Sequence, residues 1–203
     1  MNATTFYEHV SAAMAAPPQE RHQQLLRLHD QALRSYQTVL NRLTAEQVIL
    51  PLPNHPDQRT IAQIIGHIVA WDRFAVLAAG DILAGIQHPR MITDLSGYRE
   101  ADGTFPSFAT IDEFNAYHAH KYQQWSWQEL QHFADDMATT LYILFEHPQL
   151  LTASRLERTK PYWKRLHNRT LIDNTTMGWN LWLTMIEHLA VEHAALLEHF
   201  NES

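Results

Sequence analysis

Cysteine is absent from the 203 residues, so disulfides, thiolate metal ligands and a cysteine nucleophile are excluded together. Glycine occurs only 6 times, which disfavours Gly-rich phosphate loops and turn-rich β folds. Basic residues are in deficit: 15 Lys and Arg against 22 Asp and Glu give a formal charge of −7. A dedicated nucleic-acid binder normally carries the opposite balance, so no nucleic-acid partner is expected. No run approaches ~18 uninterrupted apolar residues; the nearest, from Ile61 to Leu83, is broken by His67, Asp72, Arg73 and Asp81. No membrane partner is expected either. The opening residues Met1 to His9 carry no basic region followed by an apolar one, so no signal peptide is expected and the cytoplasm is the expected location. Gly-x-Ser-x-Gly, P-loop and dinucleotide-binding patterns are all missing.

Histidine, by contrast, is abundant, with 14 copies. It is the side chain suited to metals and to proton transfer near neutral pH. Hydrophobic residues make up 45% of the chain, enough for a core. The length suits one generous domain, here taken as 1–203.

Apolar spacing is helical throughout. Leu25, Leu28, Ala32, Tyr36, Val39 and Leu43 define one face of a helix over Arg21 to Leu43, which Pro17 and Pro18 suit at its start. Thr60 with Gln63 reads as a capping box, and Ile61, Ile64, Ile65, Ile68, Trp71 and Ala75 give the next face, running to about Ala84. The stretch from Gln87 to Ala109 reads as a long loop. Ile111 to Glu146 is the third helical region, with a bend expected near Trp125-Ser126-Trp127. Pro148 to Arg169 is irregular and basic. The last helix carries Trp182, Met185, Ile186, Leu189, His193, Leu196, Leu197 and Phe200. With a short helix near Phe6 to Met14, these stripes predict an all-α four-helix bundle with long inter-helix loops. The first two long helices are expected to be antiparallel neighbours.

Several side chains could carry chemistry. His67 points at the core or its edge. On the last helix, His188 and Glu192 are four apart and share a face, as metal ligands on one helix require. His188 and His193 are five apart, about 140° round a straight helix, a poorer clamp. Two rival sites follow: His67 with His188 and Glu192, or His67 with His193 and water. The plainer alternative is a solvated His188–Glu192 pair and a packed His193. Arg155, Arg158, Lys160, Lys164, Arg165 and Arg169 place 6 of the 15 basic residues in one loop, which could hold a substrate carboxylate or phosphate or simply be solvated. Arg155 and Arg158, with Trp71 and Trp182, are the candidate substrate contacts, although such tryptophans are more often core. His118, His120, His132 and His147 read as surface histidines.

The run Leu43-Thr44-Ala45-Glu46-Gln47, the proline loop, the segment Thr60-Ile61-Ala62-Gln63-Ile64-Ile65-Gly66-His67-Ile68-Val69-Ala70-Trp71-Asp72 and the closing His-bearing helix resemble the DinB-like superfamily of four-helix bundles. Ile111-Asp112-Glu113-Phe114-Asn115-Ala116 after a long loop is similar to its ClbS/DfsB (DUF1706) branch. The resemblance implies a divalent metal, nickel or zinc, on three histidines: one matched by His67, and two from a His-x-x-x-His on the last helix. Here the sequence departs. Four residues after His188 stands Glu192, and four before His193 stands Leu189. The resemblance further implies a metal-dependent hydrolase or thiol S-transferase acting on a small electrophile. Its ClbS/DfsB branch implies instead a metal-free protein that binds or hydrolyses a toxic small molecule. A third reading is a non-catalytic bundle whose exposed stripe makes a homodimer.

Overall fold

The computed structural model describes residues 3–53, 58–90, 94–152 and 177–201. Among them the fold is all-α: α1 (Ala3–Ala15), α2 (Pro18–Arg42), α3 (Ala45–Val48), α4 (Ile61–Leu83), a 3₁₀ turn (Leu95–Gly97), α5 (Ile111–Tyr122), α6 (Trp127–Glu146), α7 (Met177–Glu187), a π turn (His188–Glu192) and α8 (Ala194–Asn201).

Local chemistry sets most helix starts. Pro18 opens α2, where its missing N–H costs nothing. Thr60 and Gln63 close a full capping box at α4: Gln63 N donates to Thr60 Oγ1 at 3.2 Å and Thr60 N to Gln63 Oε1 at 2.9 Å. Ser126 and Glu129 do the same at α6, with Ser126 N donating to Glu129 Oε2 at 2.8 Å. That box is why the region from Ile111 to Glu146 is two helices and not one bent rod. The Thr44–Gln47 box builds the single turn α3. Each cap contributes about 1 kcal/mol.

The long rods share one core, to which every helix contributes. α4 packs on α5, α6 and α7, and α2 packs on α1, α6 and α8. α2 and α4 therefore lie diagonally across the core, not as the neighbours the loop length suggested. The reason is the connection itself: α3 caps the end of the assembly against α4 and α6, carrying the chain across it. α4 is long and apolar enough to cross a membrane by length and composition, yet 61% of its apolar window is buried inside the protein, as befits a central core helix.

Gly66 fixes one close approach: a Cβ there would lie 3.0 Å from Tyr122 Cβ, so α5 seats directly on the His67 segment of α4. One turn before Tyr122 on the same face of α5, His118 is buried, not exposed as its polar neighbours suggested. Its Nδ1–H donates to the Phe114 carbonyl at 2.8 Å, which leaves Nε2 to accept from the Tyr98 hydroxyl at 2.8 Å. Beside it Lys121 Nζ meets Glu100 Oε2 at 2.5 Å, tying the long loop to α5.

Three buried groups make stability depend on pH. Burial pushes His29 down to about 3 and His118 down to about 4, and pushes the Asp72 carboxyl up to about 7. The histidines stay neutral in the fold, so their contribution is intact above the ordinary imidazole pKa of about 6.5 and is lost as pH falls through the window below it. Asp72 stays protonated in the fold. Its contribution is intact below the ordinary carboxyl value of 3.8 and is lost as pH rises to about 7. Urea unfolding should therefore show a maximum at about pH 6 to 7. In Asp72→Asn, the stability advantage over wild type should grow by on the order of 2 to 3 kcal/mol between about pH 5 and about pH 8. A gap that stays flat across that range would show that Asp72 does not titrate inside the core.

Candidate metal centre

His67 projects from α4 six residues past its first residue, on the same side as Trp71 and next to Gly66. The opposing rod is not a continuous α-helix. α7 ends at Glu187, and the next five residues form a π turn in which His193 N–H donates to the His188 carbonyl at 3.1 Å, an i→i+5 bond. In that geometry residues five apart stack above one another. The backbone then leaves the π turn at His193, with φ −108° and ψ 20°, and resumes as α8.

The turn removes the angular objection to His188 and His193. His67 Nε2 lies 2.9 Å from His188 Nε2, and His193 Nε2 lies 3.1 Å from the same atom. One nitrogen from each ring falls within a 4.8 Å group. Ring centroids are 4.9 Å (His67–His188), 5.3 Å (His67–His193) and 4.6 Å (His188–His193) apart. His188 is buried while His67 and His193 are half-buried.

The donor set fits a small divalent cation. Two imidazoles on one tetrahedral ion at 2.0–2.1 Å sit ~3.3 Å apart, close to the distances here. A neutral imidazole Nε2 offers either one proton or one lone pair. His188 Nε2 faces two other ring nitrogens, so a proton can serve only one of them at full strength. A cation accepts all three lone pairs at once.

The other expected site residues are placed differently. Glu192 is exposed at the end of the π turn and is not among the three converging groups. Of the rival sites, the geometry assembles His67 and His193, with His188 as the third member. Trp71 stands beside His67, ring centroids 6.4 Å apart, half-buried, its Nε1 donating to Asn115 Oδ1 at 3.1 Å. It packs on Phe114 at 4.7 Å and forms a wall from the histidines to α5. Trp182 is fully buried and stacked on Trp179 at 5.7 Å, so its ring is core and not a pocket surface. Arg155 and Arg158 lie outside the described residues.

Sequence reasoning missed the π turn, and with it the full histidine triplet. The apolar stripe gave no sign of it, because its periodicity reads as an ordinary helix. The one available signal was the pair itself, two histidines with one residue more between them than an i, i+4 clamp needs. Asn115 was likewise missed as the partner of Trp71. Comparison of the chain with protein-family models, with curated proteins and with solved structures finds no match.

A π turn is an α-helix carrying one extra residue. Deleting Glu192 should return the rod to α geometry and leave the two histidines four apart, still on one face. Cobalt(II) titration followed by visible absorption should find affinity within about tenfold of wild type in the deletion and unchanged in Glu192→Gln. Loss by more than about 100-fold is expected in His193→Ala. Loss of binding in both Glu192 variants would instead make Glu192 a ligand.

Proposed function

We propose that this chain is a DinB-like, metal-dependent enzyme that joins a small electrophile to water or to a low-molecular-weight thiol. The gathering of three imidazoles, with His67 Nε2 and His193 Nε2 at 2.9 and 3.1 Å from His188 Nε2, carries the reading. The helix order and the resemblance of the Thr60–Asp72 segment support it. His67, His188 and His193 would hold the cation, of the zinc or nickel type that imidazole favours. When bound, such an ion acts as a Lewis acid and lowers the pKa of a water or thiol at an open position.

The remaining roles fall to the chain's own groups. Trp71, half-buried beside His67 and backed by the fully buried Phe114, offers an aromatic face on which an apolar electrophile can lie. Asn115 keeps the Trp71 ring in place through the indole N–H, so the wall is set before substrate arrives. Because the chain has no cysteine, a thiol would have to come as a separate small molecule.

Elemental analysis of tag-free protein tests the reading. About one equivalent of nickel, zinc or iron is expected in wild type and none in His67→Ala. Metal-loaded wild type should accelerate conjugation of a thiol to an activated aryl halide, or hydrolysis of an activated ester, and chelation should stop it. Failure to take up metal after reconstitution would overturn the proposal and turn attention to metal-free binding of electrophiles.

A further inference from the structure

We infer that Tyr7 is a positioning residue for the histidine centre, acting through Glu187; this rests on the metal reading above. Tyr7 lies on α1, 180 residues away in sequence, and its hydroxyl donates to Glu187 Oε1. Glu187 is the last residue of α7 and the entry to the π turn, directly before His188. α1 packs against the π turn as well as on α2. Its placement is firm, because Phe6 is fully buried and meets the Tyr7 ring edge-on at 5.3 Å.

The location matters because a π turn is a poor local minimum. Its hydrogen bonds can be exchanged for α-type ones by shifting the extra residue along the rod. Any shift past His188 or His193 would rotate one imidazole away from the other, since on a straight helix they diverge by about 140°. Tethering Glu187 fixes where the turn begins. At the other end, Arg42 Nη1 from α2 donates to the Phe200 carbonyl at 2.5 Å and holds α8. The rod is thus pinned before and after the turn by groups from two other helices. Of the two, the Tyr7 tether adjoins a histidine directly, whereas Phe200 is seven residues past His193.

Cobalt(II) titration of the whole tag-free protein, read by visible absorption, tests this. Tyr7→Phe and Glu187→Leu should weaken cobalt binding about tenfold and change the band intensities, as loss of groups supporting metal ligands does. Glu187→Gln keeps an acceptor oxygen and should bind close to wild type. Val10→Ala, a cavity on the same helix, should lower the melting temperature yet leave the cobalt constant within about twofold. Unchanged cobalt binding in Tyr7→Phe, with normal binding by wild type, overturns the inference alone. So does an equal loss in Val10→Ala, which would reduce Tyr7 to general stability. Absence of cobalt binding in wild type overturns the metal reading and this inference with it.

Discussion

The bond from His193 N–H to the His188 carbonyl decides how the closing rod of this protein is used. With an ordinary i→i+4 ladder, the two histidines would face directions about 140° apart. The i→i+5 bond brings their Nε2 atoms to 3.1 Å. The same turn divides the rod's packing. Before it, α7 lies on α4; after it, α8 lies on α2. Because α2 and α4 are diagonal across the core, one straight helix would have to serve both with a single face. The extra residue lets one segment of chain address two partners and place two ligands at the junction between them.

The histidines outside this junction show what the alternative looks like. His118 has its Nδ1–H on a carbonyl and its Nε2 on a tyrosine hydroxyl, so each ring nitrogen has a complementary group. His29 is wedged edge-on against Tyr142 and Phe145, and its burial keeps it neutral. Both belong to the packing of the core. His67, His188 and His193 are arranged by another rule, with like nitrogens pointed at one another. A proton on His188 Nε2 can bridge to only one of the other two rings at a time, whereas a cation would engage all three lone pairs.

The frame was legible in the sequence where the signal was local. Thr60 with Gln63 marked the start of α4, because a capping box is complete within four residues. Ser126 with Glu129 is the same device, and it turned an expected bend into a break. What escaped was set by partners far along the chain. His118 sits among polar residues on α5, and only the long loop folding back with Tyr98 and Glu100 buries it. The diagonal placement of α2 and α4 depends on where α3 docks, which periodicity does not encode. For the centre, His67 was legible from its place on an apolar face. The pairing of His188 with His193 was not, because the reading assumed 3.6 residues per turn and the backbone there uses another period.

The two sides of the centre also differ in how firmly they are built. His67 belongs to a helix packed against α3, α5, α6 and α7 and follows Gly66, where an added Cβ would lie only 3.0 Å from Tyr122 Cβ. Moving His67 would mean moving α4 against α5. His188 and His193 belong to a turn whose hydrogen bonds have a near-equal alternative. The two pairs that share His188, now 2.9 and 3.1 Å apart, need shifts of a few tenths of an ångström to reach the ~3.3 Å of a tetrahedral site. A π turn can yield that much at less cost than a buried helix–helix contact can. The fixed ligand then defines where an ion sits, and the adjustable pair defines how well it is held. Changes in the groups that restrain the turn should therefore tune affinity, while changes around His67 should abolish the site outright.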